Sequence, residues 1–121
     1  AKECNLNANL NGPFDDLDMT STAVQGDESL GVTCNYGGTA TVTFVSQNGG
    51  YMESGANQVG YNFRVSNGTL LDQHLTVPGV VNNWPAVANA VQTRNLQVQL
   101  HSAATQAGIY TDVVTATVTP N

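Results

Sequence analysis

Apolar and polar residues alternate in short blocks along the chain, and this period of two is typical of strands that bury one face. The first block carries its apolar side chains on one face and mainly asparagines on the other, and it ends at Asn11-Gly12-Pro13. Its apolar positions are Cys4, Leu6, Ala8 and Leu10. No segment keeps the apolar period of a helix together with helix caps. The pattern therefore predicts an all-β protein.

Further blocks of alternation follow, separated by residues that favour turns, and they cover residues 30–36, 39–45, 59–65, 70–77, 96–100 and 110–118. Gly37-Gly38 favours a tight hairpin between the second and third blocks, and Asn67-Gly68 favours a type I′ turn after the fourth. Residues 80–91 break the alternation and allow two interpretations, an extended loop with one helical turn or a broken strand. About seven short strands predict an immunoglobulin-like β-sandwich.

Length and charge indicate the number of domains and exclude some classes of partner. A chain of 121 residues has the size of one domain, so we expect residues 1–121 to form a single β-sandwich. Its net charge is -6, and the basic side chains Lys2, Arg64 and Arg94 are scattered. We therefore expect no nucleic acid as a partner, because binding the phosphate backbone needs a basic cluster. No apolar run has the length of a membrane span, so we expect no membrane insertion.

The two cysteines, Cys4 and Cys34, both fall on the predicted inward faces of the first two strands. Neither has a histidine or cysteine at zinc-ligand spacing. Two interpretations remain, a disulfide or a pair of buried free thiols, and the low charge content favours the disulfide. A disulfide implies an oxidising compartment, and with no signal peptide in view we expect a mature, secreted form.

The run at residues 107–118, Ala-Gly-Ile-Tyr-Thr-Asp-Val-Val-Thr-Ala-Thr-Val, resembles the last strand of spore-coat-U-type pilins, the archaic branch of the chaperone-usher fimbrial subunits. Cys4, Val32-Thr33-Cys34-Asn35 and Gly60-Tyr61-Asn62-Phe63 are placed as in that family, so the likeness spans nearly the whole chain. Within the run, we expect Tyr110 to bury its ring while its hydroxyl bonds nearby backbone, as in the tyrosine corner of other sandwiches.

The resemblance implies an incomplete immunoglobulin-like fold that lacks its final strand. A periplasmic chaperone would first fill the resulting groove, and the amino-terminal extension of a neighbouring pilus subunit would then replace it by strand exchange. The groove residues this implies are Leu6, Ala8, Leu10, Val114, Ala116 and Val118. The implied protein is a non-enzymatic fimbrial subunit on the cell surface. It would contribute to biofilm and to attachment, with a host receptor, a glycan or an abiotic surface as the target.

One feature departs from the family pattern, because only Ala1, Lys2 and Glu3 precede Cys4 and none of them can serve as a donor strand. Three explanations stay open: the donor segment has been removed, the subunit sits at the fibre tip, or the domain is complete by itself. The last is the alternative function, a secreted carbohydrate- or receptor-binding adhesin. Its ligand-binding loops would lie around Met52, Trp84 and His101.

The remaining candidate chemistry points to ordinary structural roles. The histidines, His74 and His101, have no neighbouring serine or carboxylate arrangement typical of a nucleophilic site. Asp15, Asp16 and Asp18 lack the glycine and terminal glutamate of a calcium loop, so a solvated acidic loop is the simpler interpretation. We therefore predict no catalytic residue, no metal and no cofactor.

Overall fold

Two antiparallel sheets make up the computed structural model, which describes residues 1–9, 18–106, 108–110 and 112–121, with residues 7–9 and 27 described by their backbone alone. The described strands are β1 (Cys4–Asn9), β2 (Gln25–Cys34), β3 (Gly38–Ser46), β4 (Tyr51–Ser54), β5 (Asn57–Val65), β6 (Leu71–His74), β7 (Gly79–Ala86), β8 (Val91–Leu100) and β9 (Val114–Pro120). The larger sheet has the order β1-β2-β8-β5-β4, with β6 also paired to β5, and the smaller sheet has the order β7-β3-β9.

The core lies between the sheets, as the alternation predicts. Inward-facing side chains of both sheets are buried, and Phe44 of β3 meets Phe63 of β5 with ring centroids 4.9 Å apart. Trp84 of β7 is fully buried, and its indole Nε1 donates a hydrogen bond to the carbonyl oxygen of Gln92 on β8 at 3.1 Å. The predicted all-β sandwich is confirmed.

The predicted disulfide is also confirmed. Cys4 and Cys34 stand directly opposite each other in the β1–β2 ladder and are joined by a disulfide. The bond therefore fixes the amino end of β1, an edge strand that pairs only with β2 among the described residues, to a strand inside the sheet.

The predicted hairpin at Gly37-Gly38 is wrong. β2 pairs with β1 and β8, whereas β3 pairs with β7 and β9. Both edges of each strand are already used, so no edge remains for a β2–β3 ladder. The connection instead carries the chain from one sheet to the other, and Gly38 has a φ of 138°, which L side chains rarely adopt.

The structure also tests the predicted turn at Asn67-Gly68, the irregular residues 80–91 and the strand bounds. Asn67 and Gly68 have φ values of 56° and 89°, the positive values that a type I′ turn requires. Of the two interpretations of residues 80–91, the broken strand is closer, because β7 runs to Ala86 with a register shift against β3. The structure adds β4 and β7 to the predicted strands, and β9 begins at Val114, four residues later than the alternation predicts.

Candidate functional site

A cavity of about 460 Å³ lies between the two sheets beside β9. The larger sheet contributes apolar side chains from its inner face, and the smaller sheet contributes Phe44 of β3 and two inward residues of β9. These lining residues are Leu30, Met52, Tyr61, Phe63, Leu96, Val98, Phe44, Val114 and Ala116. The cavity is therefore part of the hydrophobic core that the described residues leave unfilled.

β9 forms one wall of this cavity and has an open edge. It pairs with β3 on one side, and among the described residues no strand forms a hydrogen-bonded ladder with its other edge. Its inward residues Val114, Ala116 and Val118 are only partly buried, whereas the inward residues Val42 and Phe44 of the neighbouring β3 are almost fully buried. The described residues therefore cover the inner face of β9 only in part.

The larger sheet forms the opposite wall through inward side chains of β2, β4, β5 and β8. β1 lies beside β9, and Leu6 is partly buried against the core. Ala8 pairs with Leu30 through the strand backbone, but its side chain lies outside the described part. Leu10 also lies outside the described residues. Of the predicted groove residues, Val114 and Ala116 line the cavity, whereas Leu6 and Val118 do not, so the groove stays a prediction.

The order of the strands indicates which strand position next to β9 is empty among the described residues. In an immunoglobulin-type sandwich one sheet has the order A-B-E-D and the other C-F-G, with strand G last in the chain. Here β1-β2-β8-β5 occupies the positions A-B-E-D, and β3-β9 occupies C-F. β7 adds to the other side of β3. The G position next to β9 is the edge left open in the described structure.

The segment before β9 is held at the cavity rim by Asp112. Ser46 Oγ and Tyr61 OH both donate to its Oδ2, and the backbone amides of Asn48 and Val113 donate to Oδ1 at 3.1 Å and 2.7 Å. Burial, followed by the hydrogen bond to the Asp112 carboxylate and its charge, raises the pKa of Tyr61 well above the usual range for tyrosine. The phenol therefore remains a neutral donor.

The same segment presents apolar side chains to solvent. Ile109 is 85% exposed and Val113 is 55% exposed, and both line the cavity. The hydroxyl of Tyr110 donates to the carbonyl oxygen of Gln106 at 2.8 Å, in agreement with the predicted tyrosine corner. Asp112 keeps this segment in one place while its apolar residues border an open cavity.

The residues predicted for ligand-binding loops have different surroundings. Met52 is buried in β4 and lines the cavity, and Trp84 is buried in β7, so neither lies on a loop. His101 follows β8 directly and is exposed, with its Nε2 at 2.7 Å from Asn62 Oδ1.

Sequence reasoning missed the role of Asp112 and Tyr61. A hint was available, because a tyrosine at an inward strand position needs a polar partner for its hydroxyl.

The described part of the chain contains no group of three or more His, Cys, Asp or Glu side chains that could hold a metal ion. No helix within the described ranges is long and apolar enough to cross a membrane. Searches with protein-family models and against curated proteins found no match to the chain.

Proposed function

We propose that this protein is a non-enzymatic fimbrial subunit that accepts an extended segment of a partner beside β9, in the manner of donor-strand complementation. The single observation that carries the proposal is the edge of β9 beside an apolar cavity, which no strand among the described residues pairs with. An inserted strand would form main-chain hydrogen bonds with β9 and would place every second side chain into the cavity. Each apolar side chain fully buried in this way contributes about 1.5–3 kcal/mol.

The chemistry of the edge also supports the proposal. Proteins usually protect an exposed edge strand with charged residues, a proline or a bulge, because unpaired backbone groups invite pairing with another chain. From Val114 to Thr119, β9 contains only valine, threonine and alanine, and its pairing with β3 has a continuous register. The one protecting residue of β9 is Pro120 at its carboxyl end, so the edge from Val114 to Thr119 fits a strand that pairs with a partner.

The partners follow from the same proposal. A periplasmic chaperone would occupy the groove during assembly, and an extension of a neighbouring subunit would occupy it in the fibre at the cell surface. Fibres of such subunits would mediate attachment to host or abiotic surfaces and support biofilm formation. The Cys4–Cys34 disulfide is compatible with passage through an oxidising compartment.

The test is the thermal unfolding midpoint of the oxidised domain with and without a synthetic peptide of alternating apolar residues. At a peptide concentration of about a hundredfold the Kd, binding to the folded state adds about 2.7 kcal/mol, which corresponds to a rise of about 10 °C for a domain of this size. A peptide of the same composition in an order without the period of two should give no rise.

Two variants make the test specific to the groove. Ala116→Asp places a charge on the inner face of β9 and should abolish the rise, whereas Thr117→Asp, on the outer face of the same strand, should leave it unchanged. No rise with the wild-type domain, if it is already stable and monomeric, would contradict the proposal and favour a self-complete adhesin.

A further inference from the structure

Both histidines of the chain meet on the outer face of the larger sheet. His74 belongs to β6 and His101 follows β8, and their ring centroids lie 4.5 Å apart at an interplanar angle of 86°. β5 runs between β6 and β8, and its Asn62 pairs with His74 on one side and with Gln99 on the other. Strand pairing therefore brings together two imidazoles that lie far apart in the sequence.

The hydrogen bonds of the two rings decide where their lone pairs are. His74 Nε2 lies 2.9 Å from the carbonyl oxygen of Gly50, and His101 Nε2 lies 2.7 Å from Asn62 Oδ1. The amide nitrogen of Asn62 donates to Asp72 at 3.0 Å, which turns the amide oxygen towards His101. Both partners are acceptors, so each Nε2 carries the proton and each neutral ring keeps its lone pair on Nδ1.

Two hydrogen bonds connect Asp72 to Asn62 and Asn62 to His101. They resemble the hydrogen bonds that orient metal-binding histidines. Such ligands usually donate their second N–H to an acceptor, which fixes the tautomer and the orientation of the ring. The contact with Asn62 therefore fixes the orientation of the His101 ring.

His101 packs closely over Gly60 on the neighbouring strand. A Cβ placed on Gly60 would lie 2.8 Å from His101 Nδ1 and 3.5 Å from Cε1 of Tyr51. Tyr51 also packs edge-on against His74, with ring centroids 5.1 Å apart. The two histidines and Tyr51 therefore form one cluster of rings above β5, and His101 is exposed to solvent.

We propose that His74 and His101 bind one divalent transition-metal ion that prefers nitrogen ligands, through their Nδ1 atoms, with water completing the coordination. Metal–nitrogen bonds of about 2.0–2.1 Å hold two imidazoles on one ion at ring separations similar to the one observed. Copper(II) should bind more tightly than zinc, following the general order of divalent-metal affinities. With two protein ligands, binding should be weaker than at a four-ligand structural zinc site.

The experiment titrates CuSO₄ into the oxidised full chain and follows binding by calorimetry and by paramagnetic broadening of amide NMR signals. We expect one strong equivalent, with broadening centred on Asn62, His74 and His101. His101→Phe keeps an aromatic ring against His74 but removes the nitrogen ligand, and it should weaken binding by at least about tenfold.

A second variant keeps both histidines and closes the site. Gly60→Ala adds a methyl group in the space that His101 Nδ1 faces, so it should weaken copper binding without removing a ligand. Gly37→Ala is the control for a new methyl group and should bind like the wild type, because Gly37 has no positive φ and the added Cβ would lie 4.0 Å from its nearest neighbour, the carbonyl oxygen of Ala86. Unchanged binding in His101→Phe and Gly60→Ala, or broadening centred elsewhere, would overturn the proposal.

Discussion

At the scale of single residues, the contact between Tyr61 and Asp112 links the floor of the cavity to its rim. Tyr61 belongs to β5 in the larger sheet, and Asp112 precedes β9 in the smaller one. Ser46, at the end of β3, donates to the same carboxylate oxygen and receives a hydrogen bond from the amide of Gly50 at 2.8 Å. This polar group therefore joins both sheets at the open end of the core.

The raised pKa of Tyr61 predicts how the domain responds to alkali. The neutral phenol is favoured in the folded state, so its contribution to stability is complete below the ordinary tyrosine pKa of about 10 and is lost as the pH rises above it. Urea unfolding at a series of pH values should show a steep fall in the free energy of unfolding from about pH 10 upward.

Tyr61→Phe is the matched variant for this prediction. At neutral pH it should lower the free energy of unfolding by about 1–3 kcal/mol, because Asp112 loses a hydroxyl donor. Above about pH 10 its stability should fall less steeply than that of the wild type. Equal slopes for the two proteins would show that Tyr61 does not control the alkaline transition.

At the scale of elements, the disulfide secures the edge strand β1 to β2. The bond joins residues with a sequence separation of 30, and closing a loop of that size contributes about 3–4 kcal/mol in the chain-entropy model. The double variant Cys4→Ala/Cys34→Ala should lose that amount in urea unfolding. Hydrogen exchange in β1 should accelerate more than exchange in β8, which pairs on both sides. Equal acceleration in the two strands would contradict this role for the disulfide.

The strands differ in how well the sequence predicts which of their side chains face the core. Period-two alternation predicted the inward faces of β3, β5 and β8, because those strands have a regular register. In β7 the register shift against β3 leaves Asn82 and Asn83 exposed one after the other, which breaks the period. Pro85 is tolerated there because β7 pairs only with β3 among the described strands and so has an edge position.

Pairing partners could not be predicted in the same way. The residues around Gly37-Gly38 carry the signal of a tight hairpin, but which strands pair depends on contacts between distant segments. The same reason applies to the candidate site. Val114, Ala116 and Val118 could be assigned to the inner face from alternation, whereas the partners of Asp112 lie 51 to 66 residues away along the chain.

At the scale of the whole molecule, the strands of the smaller sheet carry no charge of their own, although the Asp112 carboxylate lies at the cavity rim just before β9. The strands β3, β7 and β9 of the smaller sheet contain no charged residue, whereas Arg64 and Asp72 lie on the larger sheet 3.7 Å apart. A partner strand added beside β9 would therefore meet backbone groups and apolar or hydroxyl side chains, which is the chemistry of strand addition.

The most direct test of strand acceptance is hydrogen exchange of the β9 amides, measured by NMR on the free domain and on the domain saturated with the alternating apolar peptide. In an antiparallel pair, the amides that do not face β3 point to the open edge. We predict that these amides exchange rapidly in the free domain and become protected when the peptide is bound, while the amides facing β3 are protected in both states. Slow exchange of the edge amides in the free domain, or rapid exchange that saturating peptide leaves unchanged, would contradict the account.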